Sequence, residues 1–232
     1  MKTQILLILS LTLGASIDCV SQTVIVNSGI PDNDANGLVS TVNVSGAPTT
    51  IQDVTITLNI SSASGLGNAA WNGDLYAYIA HDSGTASGFS VLLNRVGVTA
   101  LNSSGYGDPG FAITFSDVAA DDIHNYQTLS PTFDGTGRLT GSWQPDGRNI
   151  PPTSLGETFD SASRTAGLSS FSGLNPNGLW VLFVSDRATG NEATLDSWSL
   201  NVISVPEPGS CRLVIGGLLM MGISRRRRTS RA

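Results

Sequence analysis

Between Val24 and Ile203 apolar and polar residues follow one another mostly with a period of two, the period of a strand with one face in a core and one toward water. The clearest case is Ile51–Ile60, where Val54, Ile56, Leu58 and Ile60 alternate with Thr55, Thr57 and Asn59. At Leu195–Ile203 the apolar positions are Trp198, Leu200 and Val202. In the stretch from Trp71 to Thr85, Asn72-Gly73-Asp74 supplies turn residues. Leu75, Ala77 and Ile79 then alternate with Tyr76 and Tyr78, and Asp82-Ser83-Gly84 ends the run. This segment is expected in the middle of a β-sandwich.

Weaker patterns fill in the rest. Val24-Ile25-Val26 predicts a first strand, Leu38–Val44 an edge strand, and Ser90–Arg95, Phe111–Phe115 and Leu139–Trp143 further short strands. Leu179–Val184 is apolar throughout, which predicts a strand covered on both faces. Residues 150–177 are rich in Pro, Ser, Gly and Thr and read as a surface excursion. No amphipathic helix of useful length appears. The sum is an all-β, jelly-roll-like β-sandwich of about eight or nine strands.

Composition agrees with many short strands and tight turns: 26 of the 232 residues are glycine and only 13% are charged. Residues 22–205 contain five arginines, no lysine and sixteen acidic side chains. Such a surface repels nucleic acid and anionic lipid, for no basic patch is present to neutralise phosphate. It attracts divalent cations. The two cysteines, Cys19 and Cys211, fall in the terminal segments, which excludes a disulfide framework or thiolate zinc site in the domain.

The ends read as addresses. Met1-Lys2, the apolar run Ile5–Leu13 and the small residues that follow have the layout of a secretory signal peptide over residues 1–21. Cleavage is expected after Ser21, with Ala15 as the alternative. At the other end Val205-Pro206-Glu207-Pro208 precedes the apolar run Leu213–Ile223 and the basic cluster Arg225-Arg226-Arg227-Arg228. This order resembles the PEP-CTERM sorting signal of Gram-negative bacteria. The resemblance implies processing by a membrane-embedded exosortase and delivery to the cell surface or outside the cell, in a system associated with exopolysaccharide and biofilm matrix. The apolar run would give roughly 16 Å of helix at about 1.5 Å per residue, against a hydrocarbon core about 30 Å thick. A short sorting helix that anchors transiently is the expectation, with the arginines cytoplasmic and processing near the Pro-Glu-Pro box. The boundaries are therefore a signal peptide at 1–21, a sandwich at 22–203 and a sorting signal at 204–232.

The ordered set Trp71-Asn72-Gly73-Asp74-Leu75, Asp82-Ser83-Gly84-Thr85, Gly178–Asp186 and Leu195-Asp196-Ser197-Trp198-Ser199-Leu200 resembles the P domain, or Homo B domain. That family is the β-sandwich that follows the subtilisin-like catalytic domain of proprotein convertases. The chain departs from it at Ala69-Ala70-Trp71, where the family carries a His-Ser or His-Thr pair. The resemblance implies a stabilising, calcium-tuning module whose catalytic triad lies on a different domain.

Candidate chemistry is sparse. Only His81 and His124 could act as a triad base, and no Gly-x-Ser-x-Gly elbow occurs. His124 has no cysteine or second histidine nearby to complete a zinc site. The protein is accordingly expected not to be an enzyme. Calcium is the better chemical candidate, because hard cations take carboxylate and carbonyl oxygens. The acidic connection Asp117–Asp134 and the turn Asp32–Asp34 supply them. The metal candidates are Asp117, Asp121, Asp122 and Asp74. Asp74 and Asp186, at strand ends, either cap turn amides or bind an ion. Trp180 and Trp198 are expected in the core, while Trp71 and Trp143 are open to a sugar-stacking role. Expected partners are signal peptidase and exosortase during export, then exopolysaccharide or a secreted subtilisin-like protease. A surface protein of adhesion or matrix, an accessory module for such a protease and a carbohydrate-binding module are the readings the sequence supports, in that order.

Overall fold

The computed structural model describes residues 18–63 and 69–205. Nine strands lie in two antiparallel-dominated layers. In chain order they are β1 (Asp18–Gly29), β2 (Leu38–Val44), β3 (Thr50–Ser62), β4 (Leu75–Asp82), β5 (Ser87–Asn94), β6 (Gly110–Phe115), β7 (Leu139–Trp143), β8 (Gly178–Asp186) and β9 (Ala193–Val205). One sheet has the order β1-β9-β3-β6-β7 and the other β2-β8-β4-β5. All pairs are antiparallel except β6 with β7.

Alternation sets which face is buried. Val54, Ile56, Leu58 and Ile60 of β3 meet Leu75, Ala77 and Ile79 of β4 and Trp180, Leu182 and Val184 of β8 in one core between the sheets. Trp198, Leu200 and Val202 of β9 complete it. Each of these side chains is at most 2% exposed. β4 is an inner strand, as its pattern predicts, and β2 lies at a sheet edge. The indoles reach partners at the rim: Trp180 Nε1 donates to the Pro176 carbonyl at 2.9 Å and Trp198 Nε1 to Ser40 Oγ at 2.9 Å.

Two expectations are corrected. β8 is not covered on both faces. Trp180, Leu182 and Val184 point inward, but Leu179 is 50% exposed and Val181 and Phe183 are half-buried. The outer apolar side chains shield one another instead, with Phe183 stacked on Tyr78 at 4.9 Å and Tyr78 tilted against Phe89 at 5.1 Å. Secondly, the segment 150–177 does not merely run over the surface. It contains α1 (Gly156–Ser161), and it inserts Phe159, Leu168 and Phe171, each at most 3% exposed. Phe171 packs on Trp180 with centroids 4.9 Å apart. The acidic connection 117–134 is anchored in the interior by Ile123, His124 and Tyr126.

β1 begins at Asp18, upstream of the expected first strand at Val24–Val26. Asp18–Ser21 pair with Ser204–Asn201 of β9, so the expected cleavage point after Ser21 falls inside β1. The signal peptide before residue 18, and the sorting segment from 206 onward with its hydrophobic helix, lie outside the described residues. Among the described residues no helix is long and apolar enough to cross a membrane.

The connection from β1 to β2 closes with Gly37 at φ +55°, and a Cβ there would stand 2.4 Å from the Val184 carbonyl oxygen of β8. A strand carbonyl held in its ladder cannot move aside. Gly37→Ala is therefore expected to cost about 2 kcal/mol or more in urea unfolding.

Candidate functional site

The buried aspartates lie at two places. The first is a buried network behind β5. Asp146, with no exposed surface, accepts from His124 Nδ1 at 2.7 Å through Oδ2 and from Arg148 Nη1 at 3.2 Å through Oδ1. Asp122 accepts from Arg148 Nη2 at 3.0 Å and, through its other oxygen, from the His124 amide at 3.0 Å. Burial works against the charge of Arg148, but the carboxylates of Asp146 and Asp122 outweigh it and hold the guanidinium more firmly protonated than usual.

A carboxylate, an imidazole and a buried setting are two parts of a hydrolytic triad. The third is missing from this place. His124 Nε2 faces the Val98 carbonyl at 3.0 Å, and the ring stacks on Phe159 at 5.6 Å. His81 is likewise enclosed: its nitrogens face the carbonyls of Leu179 at 2.9 Å and Asn175 at 2.7 Å, and its ring lies flat on Trp180 at 4.3 Å. Neither histidine presents a free nitrogen toward a serine hydroxyl. Replacing His81 with phenylalanine keeps the stack but removes the ring N–H that these carbonyls face. About 2 kcal/mol of stability is expected to be lost, as read by denaturant midpoint.

The second place is one end of the β2-β8-β4-β5 sheet. The 3₁₀ turn Asn72–Asp74 delivers the chain into β4, and β8 ends at Asp186, directly opposite Leu75. Asp74 is 5% exposed and Asp186 is 1% exposed. Oδ1 of Asp186 accepts from the Ala188 amide at 3.0 Å, while its Oδ2 is buried and has no hydrogen-bond partner. Asp32, in the connection from β1 to β2, accepts from the Gly190 amide at 2.8 Å and adds its charge to the field at both other carboxylates.

Burial pushes Asp74 up to about 6, against the pull of Arg95 and with help from Asp32. It pushes Asp186 up to about 7; the Ala188 amide opposes this, and the charges of Asp74 and Asp32 add to it. Both values exceed the unfolded value of 3.8, so the folded state holds protons that the unfolded chain has released. This contribution to stability is full below about pH 4 and is lost as the pH rises through about 6 to 7. In chelator, the wild type is expected to lose on the order of 2 kcal/mol between pH 4.5 and 8 relative to Asp74→Asn/Asp186→Asn, measured by urea unfolding at each pH.

The metal candidates read from the sequence do not come together. Asp117 caps the turn at Leu168–Phe171, accepting from the amides of Leu168 and Ser169. Asp122 is committed to Arg148, and the Asp121 carbonyl accepts from the Gln144 amide. Asp74 lies at the β4 end with Asp186. Among the described residues no three or more His, Cys, Asp or Glu side chains are grouped so that they could hold a metal ion. The tryptophans do not form a sugar platform either. Trp143 is 6% exposed and Trp71 is half-buried with its Nε1 on the Ser104 carbonyl at 2.8 Å. What the sequence reading missed is the outer face of β4, β5 and β8, where Tyr76, Tyr78, Phe89 and Phe183 form one half-exposed aromatic cluster. The signal lay in Tyr76 and Tyr78, which occupy the polar phase of β4.

Residues 204–228 match the PEP-CTERM protein-sorting motif. The match begins within the last two residues of β9, so the sandwich passes straight into the motif. The motif marks an exported protein processed by exosortase. No curated protein matches the chain. Solved structures that align with it include the complex of the serine protease of Aeromonas sobria with the chaperone ORF2 and the serine protease of Aeromonas sobria. Each is 16% identical over 82% of this chain, with TM-scores of 0.43 and 0.41. The chain spans 27% of the length of those structures, and a likeness at this level carries no functional inference.

Proposed function

We propose that this is a non-catalytic, P-domain-like β-sandwich displayed at the cell surface or released outside it, where it serves in adhesion or in the exopolysaccharide matrix. The observation that carries the reading is the direct continuation of β9 into the sorting motif at residue 204. The fold is the cargo of that signal. The two histidines, each sealed against carbonyls or Asp146, support the non-catalytic part.

The surface supports a binding role. Val39 is 57% exposed and Leu179 50% exposed on the same sheet as the aromatic cluster, an apolar face with a polar surround of the kind that binding proteins keep. Aromatic rings in such a face suit the apolar faces of sugars. The test is retention of the purified protein on exopolysaccharide from the producing cells. Wild type is expected to be retained, and Tyr78→Ser/Phe183→Ser to lose at least about tenfold in affinity, the equivalent of about 1.4 kcal/mol. Peptide hydrolysis by the purified protein, abolished by one serine substitution, would contradict the reading.

A further inference from the structure

Four strands stand at sheet edges, β1 and β7 in one sheet and β2 and β5 in the other. An edge strand presents unpaired backbone groups that template another strand, and proteins blunt it with a cover, a bulge or a charge. Three of these edges are managed. The outer side of β5 is covered where the Val91 amide donates to the Ala166 carbonyl at 3.0 Å and the Gly147 amide to the Val91 carbonyl at 2.9 Å. On β7 the Thr140 amide donates to the Thr132 carbonyl at 2.9 Å. β1 shifts register between Ile25 and Ser28, with Asn27 at φ +47°. β2 carries none of these devices among the described residues. Its sequence, Leu-Val-Ser-Thr-Val-Asn-Val, holds no charge, proline or glycine, and its register with β8 is unbroken.

Register fixes which of its backbone groups are free. The Arg187 amide donates to the Asp74 carbonyl at 2.8 Å and Leu75 stands opposite Asp186, so the odd-numbered residues of β8 exchange bonds with β4. The even-numbered ones serve β2, where Trp180, Leu182 and Val184 stand opposite Val42, Ser40 and Leu38. The N–H and C=O groups of Val39, Thr41 and Asn43 therefore point away from the sheet, and all three residues are exposed. Leu38 and Val42 pack on the core and Ser40 accepts from Trp198 Nε1 at 2.9 Å, which holds the strand in place from within.

We propose that β2 pairs antiparallel with β2 of a second copy of this chain, about a two-fold axis at Thr41, and joins the two four-stranded sheets into one. The edge is complementary to itself. Thr41 meets its own counterpart and Val39 meets Asn43, so every outward amide and carbonyl of these three residues finds a partner. Sliding by two residues would leave some of them unpaired. Threonines directly opposite one another are a favourable cross-strand pair. β2 has no charge with which to select an unlike partner, and two copies of it set no like charges against each other. The acidic surplus of the rest of the domain opposes approach at longer range, so pairing should tighten as salt screens it. One free edge per copy closes the assembly at a dimer. The dimer would carry the aromatic cluster twice on one sheet, and its failure would leave the adhesion reading untouched.

The test is sedimentation velocity of the exported protein at concentrations from about 1 μM to about 1 mM, the range of a small interface. A concentration-dependent dimer is expected, tighter at high salt than at low. Thr41→Pro removes an outward N–H and leaves the ladder to β8 intact. Thr41→Lys sets two like charges opposite each other. Each is expected to weaken the dimer at least about tenfold, and Thr41→Lys reports even if the proline disturbs the strand. Hydrogen exchange locates the contact. The amides of Val39, Thr41 and Asn43 are expected to gain protection as concentration rises, while those of Ser40 and Val42 are protected throughout. A monomer at about 1 mM would overturn the proposal and leave the edge to a strand of a different protein. So would a dimer that Thr41→Lys leaves intact and Tyr78→Ser/Phe183→Ser breaks, which would put the contact on the aromatic face.

Discussion

Asp146→Ala is expected to lower the unfolding free energy by roughly 3–5 kcal/mol, the range seen when one member of a buried ion pair is removed. The carboxylate has no exposed surface and serves two partners at once, His124 Nδ1 at 2.7 Å and Arg148 Nη1 at 3.2 Å. Truncation leaves a buried guanidinium with Asp122 as its remaining carboxylate and an imidazole with an open nitrogen. Arg148 Nε already lacks a partner, so the site has no spare acceptor to offer. Arg148→Ala removes the other half. The double variant is expected to be less destabilised than the two single effects together, because the second change removes a charge the first left unpaired. Urea unfolding followed by circular dichroism reads all three. Val118→Ala, at a position 87% exposed, serves as the control and is expected to stay within about 0.5 kcal/mol.

The second large effect concerns address rather than stability. Replacing Pro206-Glu207-Pro208 with three alanines is expected to leave the sandwich folded, since β9 ends at Val205 and its core residues lie further upstream. The recognition box would be gone while the apolar run and Arg225–Arg228 remain. Unprocessed protein should then collect in the inner-membrane fraction, held by the run and the positive cluster. Most of the wild-type signal should be at the surface or in the medium. Immunoblots of fractionated cells measure the ratio, and an unchanged distribution would show that the box plays no part in sorting.

The strand pattern of this chain was readable because most strands bury one face. Val54, Ile56, Leu58 and Ile60 predict their own orientation, and the structure places all four in the core. β8 shows where that reasoning stops. A run such as Leu179–Val184 is hydrophobic on both phases, and only the packed structure reveals that Tyr76 and Tyr78 cover Phe183 from the solvent side. The segment 150–177 was harder still. Phe159, Leu168 and Phe171 are core residues with no regular spacing, set among the Pro, Ser and Gly of a loop.

The polar sites depended on long-range register. His124 and Asp146 are 22 positions apart, and nothing local couples them. Asp74 and Asp186 were each legible as strand-end acids, but their meeting follows from the pairing of Leu75 with Asp186. Grouping acids by closeness in sequence instead brought Asp117, Asp121 and Asp122 together, and the fold sends two of them to separate duties, one on turn amides and one on Arg148.

The central claim is that the sandwich is delivered and then separated from its sorting tail. Intact and peptide mass spectrometry of the surface or released protein tests this most directly. The account predicts a C-terminus close to the Pro206-Glu207-Pro208 box, with β9 whole and Arg225–Ala232 gone. Mature protein outside the cell that still carries the Arg225–Arg228 cluster would contradict it.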